Sequence, residues 1–461
     1  MTPQRATSTP QYKAYTLANF REIPQLAALS EEQKFAAEVV GSVLPFRTNR
    51  YVVEELIDWD AAPDDPIFTL TFPRREMLLP HHFAQMADLI QGKASAAEIR
   101  RAADDIREQL NPHPAGQMDN NVPVLNGERL SGMQHKYRET VLFFPSQGQT
   151  CHAYCTFCFR WPQFVGNREL KFAARQAETL VEYVRTHPEV SDILFTGGDP
   201  MIMKASGLAS YIEPLLAADL PSLRTIRIGT KSLSYWPFRY LTDPDADDTL
   251  ALFERIVRSG RHLAIMAHFN HPRELQTEAV ERAVARIRAT GAQIRTQSPV
   301  LSHINDSSAL WAEMWRRQVQ LGMIPYYMFV VRDTGAQHYF GVPLVRAWEI
   351  FRGAYSKVSG LSRTVRGPSM SAHPGKVQVL GVSSVRGQQV FTLRFIQGRN
   401  PDWVHRPFFA QYDPDAVWLD DLKPAFGEER FFFEGKAALS RHRSGRHIAS
   451  PARIGRKQVV A

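Results

Sequence analysis

All three cysteines of the chain, Cys151, Cys155 and Cys158, fall within eight residues. An odd number of cysteines in one tight cluster argues against a disulfide framework. Three thiolates in a short loop can bind three corners of an iron–sulfur cube and leave the fourth iron without a protein ligand. A zinc site would need a fourth protein ligand, and His152 or His135 could supply it, so the spacing alone also allows zinc or a simple electron carrier.

Short apolar runs recur from about residue 139 onward, with helical patterns between consecutive runs. Six strand-then-helix units in succession predict parallel strands joined by right-handed crossovers. The fold class is therefore α/β, either a doubly wound sheet or a full or partial barrel, and both gather ligand sites at the C-terminal ends of strands. The predicted strands are residues 141–144, 193–196, 225–229, 263–267, 293–297 and 326–331.

A glycine-rich turn ends the second predicted strand and has the sequence Thr196-Gly197-Gly198-Asp199-Pro200. Two adjacent glycines on their own indicate only a tight strand-to-helix turn. This turn, however, follows the strand next to the one that carries the cysteine loop. Both motifs therefore belong to the strand ends where an α/β protein gathers its ligand site.

Composition and pattern divide the chain into four regions. A capping-box pattern from Ser30 to Gln33 and helical spacing of apolar residues over 95–110 make the first region helical. The regions are a helical N-terminal part (1–130), the β/α units (131–345), a capping part with alternating strands (346–435) and a basic tail expected to be disordered (436–461).

Charge and hydropathy narrow the class of protein. The 461-residue chain has 55 Lys plus Arg and 47 Asp plus Glu, a net charge of +8. Seven of the basic residues lie from Lys436 onward, where the sequence has no acidic residue. Without these seven charges, the rest of the chain has a net charge of +1. Nucleic-acid binding needs basic residues on the folded body, so no such partner is expected. No apolar run approaches the ~18 residues of a membrane span, and the N-terminus lacks the apolar core of a signal peptide, so we expect a cytoplasmic protein.

The Cys-x-x-x-Cys-x-x-Cys loop after the first strand, together with the Gly-Gly-Asp-Pro turn after the second, resembles the radical S-adenosylmethionine (SAM) enzymes. The resemblance implies a partial (β/α)6 barrel of the TIM type. It implies a [4Fe–4S] cluster on the three cysteines, whose open iron binds the amino and carboxylate groups of SAM. It also implies that Phe157 lies near the adenine and that the glycine-rich turn holds the methionine amino group.

Further stretches are similar to the lysine 2,3-aminomutase family. In that family SAM supplies the radical and pyridoxal phosphate (PLP) carries the migrating amino group. The resemblance implies that Lys376 binds PLP, although the glycine-rich run that precedes this lysine in the family is mostly absent here. The similar stretches are residues 226–237, 268–275, 297–307, 325–327 and 373–376.

The same resemblance implies further roles in the site. Arg160 matches the arginine that binds the substrate carboxylate, a task that suits a planar guanidinium fork. His268 and Gln297 match residues that contact SAM. The expected contacts to the PLP phosphate are Lys136, Tyr137 and Arg138.

The chain departs from the family at the distal end of the substrate pocket. Lysine-specific members hold the distal ammonium with two aspartates; here one position falls on Ser369 and the other on Arg332, or on Asp333 if one residue is inserted. An ammonium buried without a carboxylate is costly. We therefore expect an acidic or neutral amino acid as substrate rather than lysine. The family's structural zinc needs extra cysteines, which the sequence lacks.

The sequence thus predicts a radical SAM isomerase, a PLP-dependent aminomutase that converts an α-amino acid to a β-amino acid. An external electron donor of the flavodoxin or ferredoxin type is the expected partner, and a homo-oligomer is allowed. One alternative is an enzyme of the same lineage that acts on another substrate, such as a lysine of a protein, or that works without PLP. The other alternative is a non-enzymatic iron–sulfur or zinc protein.

Overall fold

The computed structural model describes residues 10–111, 121–165, 173–174 and 176–434. Two short antiparallel pairs come first: β1 (Ala14–Tyr15) with β2 (Thr48–Asn49), and β3 (Val124–Leu125) with β4 (Glu128–Arg129). An eleven-stranded sheet follows, in which the strands lie side by side in chain order. Its strands are β5 (Met133–Tyr137), β6 (Thr140–Phe143), β7 (Asp192–Phe195), β8 (Thr225–Thr230), β9 (His262–His268), β10 (Gln293–Val300), β11 (Ile324–Val330), β12 (Arg366–Ser371), β13 (Gly375–Val385), β14 (Gln388–Gly398) and β15 (Pro407–Gln411).

The sheet is mixed. Strands β6 to β12 run parallel, whereas β5 at one edge and β13 to β15 at the other run antiparallel. Strands β6 to β11 coincide with the six predicted strands, which confirms the α/β class. The sequence analysis missed β12, because its residues Arg-Gly-Pro-Ser-Met-Ser include few of the β-branched and aromatic types that favour strands.

Helices connect the parallel strands and form most of the N-terminal part. They are α1 (Glu31–Val43), α2 (Pro66–Thr71), α3 (Pro80–Gln91), α4 (Ala96–Leu110), α5 (Ala177–Thr186), α6 (Ala205–Ala217), α7 (Ser232–Tyr235), α8 (Ala246–Arg258), α9 (Glu278–Ala289), α10 (Ser308–Gln320), α11 (Gln337–Phe340) and α12 (Leu344–Tyr355). The predicted capping box is present at α1. The Ser30 hydroxyl accepts a hydrogen bond from the Gln33 backbone N–H, and the Gln33 side-chain oxygen accepts one from the Ser30 backbone N–H. These bonds satisfy donors that a helix start otherwise leaves without partners.

One face of each parallel strand packs against helices and the other face is free to line a site. In β8, Ile226 and Ile228 are fully buried in the core between sheet and helices. The residues that alternate with them along the strand, Arg227 and Gly229, line a cavity on the other face. This division follows from the strand geometry, because successive side chains point to opposite faces.

Two further apolar clusters lie beside this core. The first joins helices of the N-terminal part to residues of the loops above the sheet, among them Trp161, Tyr235 and Trp236. The second lies under β13 to β15 and includes Trp418, Phe431 and Phe433. The N-terminal part is thus packed directly onto the loops that follow the parallel strands. In the described ranges, no helix is both long enough and apolar enough to cross a bilayer.

Helix α5 follows the cysteine loop in the chain. It starts at Ala177, and Ala174 forms a β-bridge with Pro145 beside the end of β6. The predicted basic tail, residues 436–461, lies outside the described residues.

Candidate active site

A cavity of about 330 Å³ opens at the carboxyl edge of the parallel strands, where residues that follow β6, β7, β8 and β11 meet. Most of the predicted site residues line it. These are Cys151, Cys155, Phe157, Cys158, Arg160, Gly197, Gly198, Asp199, His268, Gln297, Arg332 and Lys376. Sequence-distant residues are thereby brought into one place, as expected for the strand ends of an α/β sheet.

Six predicted residues are not part of the lining: Pro200, Ser369, Tyr137, Asp333, Lys136 and Arg138. Pro200, the last residue of the glycine-rich turn, is buried. Ser369 is fully buried in β12, with its hydroxyl 3.5 Å from the Met328 carbonyl oxygen. Tyr137 and Asp333 do not line the cavity, and both interact electrostatically with Arg332.

The three cysteine thiols are free and face the cavity. Burial by the surrounding protein raises the pKa of Cys155 to about 12 and also raises the pKa of Cys151 and of Cys158. Such thiols lose their protons when a cation binds them. Among the described residues, no three His, Cys, Asp or Glu side chains converge on one point as the ligands of a single ion would. A cube does not require such convergence, because each thiolate binds a different iron.

The two histidines that could complete a zinc site are held elsewhere. His135 uses both ring nitrogens, one 2.6 Å from the Tyr183 hydroxyl and the other 3.0 Å from the Arg138 carbonyl oxygen. The His152 ring packs edge-on against Tyr12 and is buried, and burial lowers its pKa to about 3. Neither histidine is part of the lining that the three thiols share.

Three residues of the N-terminal part hold the backbone of the cysteine loop, and we call Tyr12, Arg47 and Asn49 the N-terminal clasp. The Tyr12 phenol and the Asn49 amide both donate to the His152 carbonyl oxygen, at 2.8 and 3.1 Å. The Arg47 carbonyl accepts from the Tyr154 N–H at 2.8 Å. The loop is therefore fixed by a part of the chain that lies outside the β/α units.

The glycine-rich turn packs against the backbone that leads into the cysteine loop. A methyl group on Gly198 would lie 2.5 Å from the Thr150 carbonyl oxygen, and Gly197 adopts a φ of +152°. The N–H of Asp199 donates to that same oxygen at 2.8 Å. Glycine is required here because only a residue without Cβ allows so close an approach.

The Asp199 carboxylate ties this turn to the next strand. It accepts from the Thr230 hydroxyl at 2.7 and 2.8 Å, from the Lys231 N–H at 2.8 Å and from the Met201 N–H at 2.9 Å. Burial raises its pKa, and these bonds oppose the rise. The Asp199 carboxylate thus accepts its hydrogen bonds from protein donors. A ligand in the cavity would therefore meet the backbone of the turn.

Replacing Gly198 with alanine should loosen the cysteine loop. The added methyl must displace Thr150, which adjoins Cys151, so we expect the free energy of unfolding to fall by about 1–3 kcal/mol and bound iron to fall with it. Urea denaturation and iron analysis after anaerobic reconstitution measure both. Gly229→Ala is the control, because its methyl would meet no atom closer than 3.6 Å. Equal stability and iron content in the two variants would contradict the expectation.

Phe157 and His268 form a nearly parallel stack on the cavity wall, with ring centroids 5.9 Å apart and planes inclined by 23°. His268 ends β9 and stands in register with Gln297 of β10. Burial lowers the pKa of His268 to about 3, and its Nδ1 has no hydrogen-bond partner within the described part of the chain. A neutral ring with an open nitrogen suits a planar polar ligand.

Two arginines share another wall of the cavity. The Arg160 guanidinium lies 4.4 Å from the Phe144 ring centroid and 5.0 Å from that of Phe159, while the Arg332 guanidinium lies 5.3 Å from Phe159. Burial lowers the pKa of Arg160 to about 10, which leaves it charged at neutral pH. Asp333 lies 3.8 Å from Arg332 outside the lining. This wall is suited to bind an anion.

Lys376 enters the cavity from β13, opposite Ser371 of β12. Its amine lies 4.1 Å from the Tyr327 ring centroid. Burial, and then the charges of Arg227 and Arg366, lower its pKa to about 7. A substantial fraction of this amine is therefore neutral at physiological pH, which is the form that reacts with a carbonyl group.

A second group of cations lies next to Lys376. Burial and the charges of Arg399, Arg332 and Lys376 lower the pKa of Lys136 well below its usual value, and its amine donates to the Ala372 carbonyl. Such crowding of positive charge is relieved by an anion with several oxygens. Arg138, in contrast, is exposed at the β5–β6 turn.

The sequence analysis missed several residues of this site. Lys231 follows β8 directly, lines the cavity and lies 2.6 Å from a Glu274 carboxylate oxygen. Its position at a strand end was a usable signal. Arg399 comes just after β14 and gave no such signal, because it is brought to the site only by the antiparallel return of that strand.

No protein-family model matches the chain. A protein of Aquifex aeolicus (strain VF5), whose own assignment as an L-lysine 2,3-aminomutase is provisional, is 31% identical over 408 residues, which cover 88% of this chain and 95% of that protein. The L-lysine 2,3-aminomutase of Escherichia coli (strain K12) is 30% identical over 50% of this chain and 63% of its own length. That of Clostridium subterminale is 26% identical over 72% of this chain and 67% of its own length.

Solved structures align with parts of the chain at low similarity. A radical SAM methyltransferase from Sphaerobacter thermophilus covers 60% of this chain and 91% of its own, with 14% identity and a TM-score of 0.37. The solved structure of native anSMEcpe with bound AdoMet covers 41% of this chain and 50% of its own, with 13% identity and a TM-score of 0.30.

The cysteine loop and the glycine-rich turn, side by side at the carboxyl edge of a parallel α/β sheet, define the radical SAM class of enzymes. Within that class, the similarity to the Aquifex protein extends over nearly the whole length of both chains. The chain belongs to the lysine 2,3-aminomutase family, as a divergent member.

Proposed function

We propose that the chain is a radical SAM, PLP-dependent amino acid 2,3-aminomutase, an isomerase that makes a β-amino acid from an α-amino acid. One observation carries the proposal: the three cysteines, the glycine-rich turn and the amine of Lys376 line a single cavity. The family relation supports the same reaction class. When bound, the cluster with SAM supplies a carbon radical that removes a hydrogen atom, and PLP carries the migrating amino group.

The cavity residues fit the three cofactors. The three thiols offer three ligands to a [4Fe–4S] cluster and leave one iron open for SAM. The Phe157–His268 stack, with the open Nδ1 of His268 and the adjacent Gln297, supports binding of the SAM adenosine. The backbone of the glycine-rich turn is available to bind the methionine amino group.

The PLP end of the cavity is formed by cations. Lys376 supplies a partly neutral amine that can attach the cofactor covalently. Lys136, Arg399 and Tyr137 gather beside it, and we propose that they bind the phosphate. Phosphate oxygens would neutralise charges that now lower the pKa of Lys136. An external electron donor of the flavodoxin or ferredoxin type would reduce the cluster.

We further propose that β6 to β11 and their helices curve into a partial (β/α)6 barrel. One cavity is lined by residues from β7 through β11 and also by Lys376 of β13, which a flat sheet could not bring together. The contact from Lys136 of β5 to the carbonyl of Ala372, just after β12, supports the same curvature. The N-terminal part (1–130) then covers the cluster end, and residues 346–435 cap the PLP end.

Reconstitution of the purified protein tests the proposal. Under anaerobic conditions with iron, sulfide and PLP, we expect a cluster absorbance and a separate PLP absorbance. Reductant with SAM should then yield 5′-deoxyadenosine. Tight zinc binding without SAM cleavage would overturn the cluster assignment, and a cluster without PLP would move the chain to the PLP-independent alternative.

The charges of the cavity support an acidic or neutral substrate. We propose that Arg160 binds the α-carboxylate, so that the substrate side chain lies near Arg332 on the same wall. Within the described residues, Asp199 is the one carboxylate of the lining, and its oxygens already accept several hydrogen bonds. A lysine ammonium would therefore be desolvated without a partner.

We expect free L-lysine to be a poor substrate. The missing carboxylate costs ~3 kcal/mol, so kcat/KM for lysine should be about a hundredfold below that for glutamate or a neutral amino acid. Turnover of the three substrate types under identical anaerobic conditions measures this ratio. Efficient conversion of lysine to β-lysine would show that Asp333, and not Arg332, serves the substrate.

A further inference from the structure

The phenol of Tyr235 touches one of the cluster cysteines. Tyr235 ends helix α7, directly above β8, and is 1% exposed. Its hydroxyl oxygen lies 3.4 Å from the Sγ of Cys155, within hydrogen-bond distance for sulfur. The family resemblance assigned no role to this position.

Neighbouring residues fix the Tyr235 hydroxyl at that place. The Asn49 amide of the N-terminal clasp donates to the Tyr235 carbonyl oxygen at 2.9 Å, and the same amide holds the His152 carbonyl of the cysteine loop at 3.1 Å. One side chain therefore ties the tyrosine and the loop to each other. The Asn49 amide therefore helps to hold the Tyr235 hydroxyl next to Cys155.

A cation acts on the Tyr235 ring. The Lys231 amine lies 4.3 Å from the ring centroid and is held by Glu274 and Asn270 at 2.6 and 2.9 Å. A cation over a phenol ring draws electron density from the ring and makes its O–H a stronger donor. The site is buried, and hydrogen bonds are electrostatically stronger in such surroundings than in water.

We infer that Tyr235 is a positioning residue that raises the reduction potential of the cluster by donating a hydrogen bond to Cys155. This rests on the cluster of the proposed function. A metal-bound thiolate carries no proton, so the phenol is the donor. The bond stabilises the extra negative charge of the reduced cluster, and hydrogen bonds to cluster sulfurs are among the factors that set such potentials.

The test compares Tyr235→Phe with Tyr240→Phe after anaerobic reconstitution. Tyr240 is the matched control, because it is a fully buried phenol of the same segment whose hydroxyl bonds Ser232 at 2.7 Å and no cysteine. Dithionite titration with detection of the reduced cluster by electron paramagnetic resonance gives the midpoint potential. We expect Tyr235→Phe to lower the equilibrium constant for reduction about tenfold, a one-electron shift of about 59 mV to more negative potential, with the control unchanged.

A second replacement keeps the test decisive if Tyr235→Phe loses iron. Incorporating 3-fluorotyrosine at position 235 leaves the hydroxyl in place but makes it a stronger donor, so the midpoint should move to less negative potential. Wild-type midpoints in a variant that retains its cluster would overturn the role of Tyr235 and leave the proposed function standing. Wild-type protein that binds no cluster would overturn both.

Discussion

Replacing Cys155 with alanine should abolish the cluster and all SAM cleavage. The chain offers three thiols and no others, so the variant would leave two irons of the cube without protein ligands. Iron and sulfide per chain should fall from near four each to background, and no 5′-deoxyadenosine should form. Iron analysis and product detection after identical anaerobic reconstitution measure the loss.

Thr156→Ala is the control for Cys155→Ala. Thr156 belongs to the same loop and contributes only a hydroxyl, which donates to the Thr69 carbonyl oxygen at 2.7 Å. Loss of one such bond costs about 1 kcal/mol and removes no ligand, so this variant should keep its iron. If Cys155→Ala retained wild-type iron and still cleaved SAM, the cysteine loop would not be the cluster site.

Replacing Lys376 with alanine should abolish covalent attachment of PLP and aminomutase turnover while leaving the cluster and SAM cleavage intact. The nucleophilic amine is lost, but Lys376 contacts no cysteine. Borohydride reduction followed by peptide mapping should place PLP on residue 376 of the wild type and on no residue of the variant. Cofactor found on another lysine would contradict the assignment.

Two companion variants separate the amine from the positive charge. Lys376→Arg keeps a cation but no nucleophile, so it should fail to attach PLP in the same way as the alanine variant. Lys136→Ala removes a neighbouring cation and should weaken PLP binding while preserving attachment at position 376. If Lys136→Ala and Lys376→Ala lost PLP attachment equally, then attachment would require the positive charge rather than the amine of Lys376.

The rate of PLP attachment should depend on pH near neutrality. The pKa of Lys376 is lowered to about 7, so the reactive neutral fraction falls about tenfold for each pH unit below 7 and levels off above it. Trapping by borohydride at successive pH values would trace this curve. A lysine with the ordinary pKa of about 10.4 would give a rate that still rises up to pH 10.

Local sequence patterns were enough to predict strands β6 to β11 and the two motifs that follow them. Strands β6 to β11 are apolar runs bounded by helical patterns, and the cysteine loop and glycine-rich turn follow two neighbouring strands. A parallel sheet places such ends together whatever the details of the packing. Prediction from the sequence succeeded for residues whose place in the site follows from their place at the end of a single strand.

Prediction from the sequence was weaker where the position of a residue in the site depends on strand register or on contacts between distant parts of the chain. Arg332 and Asp333 are adjacent just beyond β11, and a shift of one residue exchanges which of them faces the cavity. Counting along the sequence could not settle that choice, whereas the structure puts Arg332 in the lining. Arg399 and the N-terminal clasp reach the site from distant parts of the chain, and no local pattern marks them.

The N-terminal clasp has a consequence for the order in which the enzyme is made. Its residues Tyr12, Arg47 and Asn49 bond loop residues that come 103 to 140 positions later in the chain. Ribosomes build a chain from its amino end, so the clasp has been translated before the first cysteine. Tyr235, in contrast, is added 80 positions after Cys155. The ligands of the cluster and their support are thus synthesised before the hydroxyl that we infer to tune it.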